Sequence, residues 1–172
     1  MKARLKMTGF LLDMIREDLE RPHAFAYERV GFLTCGATVT PQRELLLLVR
    51  NYLPVADEHY ERDDGVGARI GAAAIRTGLQ AVYKPPGTLI HVHTHGGLGR
   101  PGFSGIDLSS AQELIPSFFN AVPRMPHGMM VLSDNSASAL LWLAADEKPI
   151  AVSGFVRVGA GYQRFGGPDD LA

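Results

Sequence analysis

The amino-acid sequence predicts one α/β domain of the α+β kind, a mixed β-sheet flanked by helices. Three observations lead there. Short apolar runs of strand length recur from end to end. Longer stretches carry apolar residues at helical spacing. The two kinds are interspersed within 172 residues, the length of one ordinary domain with enough interior for a core.

Taken in order, residues 1–9 form a short strand. Residues 10–19 form an amphipathic helix, because Leu11, Leu12, Ile15 and Leu19 recur on one side while Asp13, Arg16 and Glu17 face away. Pro22 stops it. Residues 29–36 and 44–53 are apolar strands, the second built on four consecutive leucines and closed by Pro54. A further short strand is expected at 58–62. Val66, Ile70, Ala73, Ala74 and Leu79 give a helix over 66–80 despite Gly71 and Gly78, and Lys84-Pro-Pro-Gly87 is a turn.

An alternating strand follows at 88–95, then a Gly/Pro loop over 96–106. A second core helix runs over 108–119, with Pro116 expected to kink or end it. Strands at 128–133, 137–142 and 150–158 complete the domain, the first two joined as a hairpin by Asp134-Asn-Ser136. The domain is therefore placed at 1–158, with 159–172 as a flexible, glycine-rich tail.

Composition narrows the function. Lys plus Arg number 17 and Asp plus Glu 18, a net charge of -1, with no basic run. That balance argues against nucleic acid or an anionic membrane as the main partner. The one cysteine, Cys35, excludes an internal disulfide framework and a cysteine-based zinc ribbon. The basic residues near the start precede an apolar stretch too short for a signal core, no run reaches the roughly 18 residues of a membrane span, and the expected location is the cytoplasm. A metal, if bound, must be held by His, Asp or Glu, so the six histidines matter most.

Three of them share one strand face. In Thr88-Leu-Ile-His91-Val-His93-Thr-His95, the two-residue period sets His91, His93 and His95 opposite Ile90, Val92 and Thr94. Neighbours in this stripe are about 7 Å apart at Cα and can lean toward one ion. His91 and His95 are twice as far apart, so a pair plus a ligand from elsewhere is favoured over a trio. The glycine loop after His95 can turn back on the strand end and bring Asp107, at the next helix start, to complete a two-His, one-Asp zinc set with an open position. Glu28, at the edge of an apolar strand, is the candidate general base.

Each feature also has a plainer reading. His-x-His is commonly a surface strand feature. Ser104-x-x-Asp107 ahead of an apolar helix matches a capping box. Glu28 can be a solvated partner of Arg29. His23, His59 and His127 read as surface or loop residues.

The combination of Glu28-x-x-Gly31-x-Leu33, His93-Thr-His95 and Ser104-x-x-Asp107 resembles the signature of JAMM metalloproteases, the JAB/MPN domain, across about residues 3–145. The resemblance implies a cytidine-deaminase-like layering and Zn²⁺ bound by His93, His95 and Asp107. It implies that Glu28 is the general acid/base and that Ser104 helps stabilise the oxyanion. Three departures are plain: the 96–103 loop has one residue more than the family usually has, Gly96 stands where proline is usual, and the extra His91 creates an alternative register. The pair His91/His93 fits that spacing worse. The implied activity is cleavage after the C-terminal glycine of a ubiquitin-like protein, in precursor processing or deconjugation, with E1- and E2-like partners and a place in a bacterial antiphage conjugation system. The rival readings are a JAMM peptidase acting on a sulfur carrier in cysteine biosynthesis and a non-catalytic MPN scaffold.

Overall fold

A computed structural model describes residues 1–166. Its elements, in chain order, are β1 (Ala3–Thr8), α1 (Gly9–Leu19), β2 (Val30–Val39), β3 (Leu45–Pro54), β4 (Tyr60–Glu61), β5 (Arg69–Ile70), α2 (Ala72–Tyr83), β6 (Thr88–Thr94), α3 (Gly105–Ala121), β7 (His127–Leu132), β8 (Ala137–Trp142), β9 (Ile150–Ala151), β10 (Gly154–Val158) and β11 (Tyr162–Arg164). The fold is mixed α/β, as expected. Nine strands form one sheet in the order β11-β10-β1-β3-β2-β6-β7-β8-β9, and β4 and β5 form a separate small hairpin. Strand β1 runs parallel to both β3 and β10, and β6 runs parallel to β7; the other pairings are antiparallel.

The period-two pattern sorts side chains onto two faces. Leu5, Leu33, Leu47, Ile90, Val92 and Met130 share one core with Leu11, Leu12 and Ile15 of α1. Phe32, Leu89 and Met129 face the other way, against Ala74 and Val82 of α2 and Ile115 and Phe118 of α3. Helices thus cover both faces, and the histidine stripe of β6 lies on the α2/α3 side.

Several expected boundaries move. The strand expected over 150–158 is two strands on opposite sides of the sheet order. The change falls between neighbouring residues: Val152 N donates to Ala139 O at 2.9 Å and Ser153 N to Ala3 O at 2.8 Å. This is possible because the sheet curls until β8 and β1 lie within reach of one short segment. The helix expected over 66–80 begins at Ala72, since Arg69 and Ile70 pair with Glu61 and Tyr60 and Gly71 serves as its N-cap. Of 58–62, only Tyr60–Glu61 is strand, preceded by a short 3-10 turn at Asp57–His59. Pro116 does not end α3, which runs on to Ala121. Burial of Leu114 and Ile115 before it and Phe118 and Phe119 after it outweighs the roughly 3 kcal/mol a helical proline costs.

The tail also differs. Tyr162–Arg164 is a strand paired with β10, and Phe165 is buried with its ring 5.8 Å from that of Phe155. The domain therefore continues past residue 158; the rest of the expected tail, 167–172, lies outside the described residues. His127 is fully buried, taking Leu89 N on Nδ1 at 3.1 Å and placing Nε2 2.9 Å from Val122 O. It is a structural link between β6 and the end of α3, not a surface residue. The His23 side chain is also buried, against Tyr60 and Phe25.

Candidate metal centre

The site forms where β6 ends beside the start of β2. In that antiparallel pairing Val30 lies opposite His93. Glu28 and His95 lie just beyond these two strand ends, Glu28 before Val30 and His95 after Thr94. Turning the chain after β6 is the work of Thr94. Its Oγ1 donates to Leu132 O at 3.1 Å and accepts Gly96 N at 3.2 Å, while His95 N also donates to Leu132 O at 2.9 Å.

The glycine loop then folds back along a fixed course. Gly96, Gly97 and Gly99 have φ of 61°, 73° and 88°, a region side chains disfavour. The turn between β7 and β8 holds them: Asp134 N donates to Gly97 O at 2.9 Å, Gly99 N to Asn135 Oδ1 at 2.8 Å, and Ser133 Oγ to Gly99 O at 2.7 Å. Ser138 Oγ adds a bond to Pro101 O at 2.7 Å.

That course delivers α3 to the site. Ser104 is its N-cap, and the capping box is complete: Asp107 N donates to Ser104 Oγ at 3.1 Å and Ser104 N to Asp107 Oδ2 at 2.6 Å. Capping and site-building are the same arrangement here, because the box fixes the Asp107 carboxylate toward the histidines.

Three distances define the centre. His93 Nε2 and His95 Nε2 are 3.1 Å apart, Asp107 Oδ1 is 3.2 Å from His93 Nε2, and Asp107 Oδ2 is 3.4 Å from His95 Nε2. Ligand atoms about 2.0–2.1 Å from one ion stand roughly 3.3–3.4 Å apart; each imidazole nitrogen is about that far from the other and from its nearer Asp107 oxygen, Oδ1 for His93 and Oδ2 for His95. Glu28 completes the cluster. Its carboxylate, His93 and His95 offer ligand atoms within 4.8 Å of one another, yet it makes no ion pair with either imidazole. Glu28, His93 and His95 together could hold a metal ion.

The two carboxylates are tuned apart. Burial raises the pKa of Glu28, and Asp107 adds to this against the opposing pull of His93 and His95. Burial also pushes Asp107 upward, but the hydrogen bond and charge of His93, with the Ser104 bonds, hold it well below the usual carboxylate range. His91 makes no contact with Asp107 in the ion-pair geometry of the other two; it packs edge-on to Phe32 with ring centroids 5.7 Å apart, and burial pushes its pKa down to about 3. Cys35 is buried in the opposite core, where burial pushes its thiol up, so it is no nucleophile for this site.

Two residues of the site were not legible beforehand. Gly67 gives Glu28 room: a Cβ there would collide with Glu28 Oε1 and lie 2.6 Å from its Cδ. The Gly65-Val-Gly67 spacing, poor for a helix start, was the available signal. Arg29 does not pair with Glu28. Its guanidinium, buried, bonds Arg21 O, Pro22 O and Asp57 instead.

Two clefts of about 510 Å³ each lie nearby, one lined by site residues and one by the neighbouring His91. One is walled by Glu28, His95, Tyr27 and Arg21, the other by His91, Ile106, Glu113 and Arg69.

No known family profile and no curated protein matches the chain. Among solved structures, the Trichoplax adhaerens STIL N-terminal domain shows 10% identity and a TM-score of 0.37 over 80% of this chain and 40% of that one. The chain thus spans less than half of that structure's length, and the likeness is too loose to bear on the site.

Proposed function

We propose that this protein is a zinc-dependent JAMM-type peptidase or isopeptidase that cleaves after the C-terminal glycine of a ubiquitin-like protein. The observation that carries the reading is the convergence of His93, His95 and Asp107 within 3.1–3.4 Å contacts, with a partly buried Glu28 beside them. His93, His95 and Asp107 would hold the ion; a His₂-carboxylate set is a common catalytic zinc donor set. Zinc, when bound, supplies Lewis acidity toward the scissile carbonyl and the attacking water.

The remaining steps fall to the chain. Glu28 takes a proton from the attacking water and returns it to the leaving nitrogen, a task helped by burial, which raises its pKa above the ordinary carboxylate value. Ser104 is exposed at the α3 N-terminus, where its hydroxyl and the helix end favour developing negative charge. The cleft that Glu28 and His95 line suits an extended chain lying against the centre. Tyr27 and Ile106, 81% and 48% exposed, put apolar surface in the two clefts and favour a protein substrate over a small polar one.

The test is cleavage of ubiquitin-like fusions with a C-terminal extension, with and without chelator. The reading predicts cleavage after the terminal glycine, lost with chelator and restored by zinc. Metal-replete protein that cleaves no such fusion would count against it.

A further inference from the structure

We propose that Arg29 is a positioning residue that fixes the loop carrying Glu28; the inference rests on Glu28 being the acid/base of the reading above. Glu28 belongs to no helix or strand. It lies next to the end of an irregular segment between α1 and β2, and such a segment, left to itself, would not hold a carboxylate steady beside two imidazoles.

The bonds that hold it converge on Arg29, which is 2% exposed. Nε donates to Arg21 O at 2.9 Å, Nη2 to Pro22 O at 2.9 Å and Nη1 to Asp57 Oδ1 at 2.7 Å. One planar guanidinium thus ties the segment's entry to its exit and both to the 3-10 turn. Within the loop, His23 Nδ1 accepts Phe25 N and Ala26 N at 3.3 and 3.1 Å. Gly67 O accepts Tyr27 N and Glu28 N at 2.8 and 3.2 Å. Val30, on the far side of Arg29, is anchored by Tyr60, whose hydroxyl accepts Val30 N at 2.9 Å. Lysine keeps the charge but cannot make three bonds in fixed directions.

The test pairs Arg29→Lys with Asp57→Ala, which removes only the exposed anchor. Each full-length protein is assayed for zinc content, for kcat and KM on a ubiquitin-like fusion, and for amide hydrogen exchange. Arg29→Lys is expected to keep its zinc and to lose about ten- to a hundredfold in kcat with little change in KM. It should exchange faster at the amides of Phe25, Ala26, Tyr27 and Glu28 while core strands stay protected. Asp57→Ala is expected to show the same pattern more weakly. Unchanged exchange at those four amides in Arg29→Lys overturns the proposal, as does a rise in KM with kcat intact. If Arg29→Lys does not fold, wild-type exchange and kcat in Asp57→Ala overturn it equally. A wild-type protein with no zinc-dependent cleavage would sink the proposed function, while the exchange measurement would still decide the clamp.

Discussion

The carboxylate of Glu28 occupies the space where a side chain on residue 67 would begin. The Gly67 carbonyl also accepts the Glu28 amide at 3.2 Å, so one residue of the loop before β5 both seats and ties Glu28, the proposed acid/base. Gly67→Ala should therefore displace Glu28 while leaving His93, His95 and Asp107 in place. The expected result is normal zinc content with kcat reduced about ten- to a hundredfold, read by metal analysis and steady-state kinetics. Wild-type kcat in this variant would mean that the Glu28 position is not critical.

The glycine loop gives a second contrast. Gly99 has φ of 88°, whereas Gly102 has an ordinary backbone and open space around its Cβ position. Gly99→Ala should destabilise the fold by about 1–2 kcal/mol, and Gly102→Ala should be close to neutral. Chemical denaturation of the two variants checks this; equal stabilities would show that the loop does not hold its course in solution.

His91 links the site to acid stability. The folded protein keeps it neutral down to about pH 3, while an exposed imidazole takes up its proton near 6.5. The unfolded chain therefore binds more protons between those values, and stability falls as pH drops from about 6.5 toward 3. Metal-free wild-type protein should lose about 2 kcal/mol more than His91→Leu between pH 7 and pH 5. Parallel pH dependences in denaturant melts would place His91 in water. The same variant should retain zinc, since the proposed ligands are His93, His95 and Asp107.

Much of this was legible in the residues, and the misses share a cause. The period-two histidine stripe and the Ser104-x-x-Asp107 spacing are local patterns, and local patterns survive folding. His93, His95, Asp107 and Glu28 do come together. What local pattern could not show is tertiary. The break at Val152 and Ser153 depends on the sheet curling until β8 and β1 nearly meet. The survival of α3 past Pro116 depends on the core on either side. Arg29 looked like a neighbour for Glu28, but its partners, Arg21, Pro22 and Asp57, are set by how two loops meet.

The central claim separates two carboxylates: Asp107 holds the metal with His93 and His95, and Glu28 moves the proton. Zinc per chain and turnover, measured on the same preparation of Glu28→Gln, test it most directly. The account predicts about one zinc per chain and no cleavage. Loss of zinc would make Glu28 a ligand, normal cleavage would remove it from the chemistry, and either result would contradict the account.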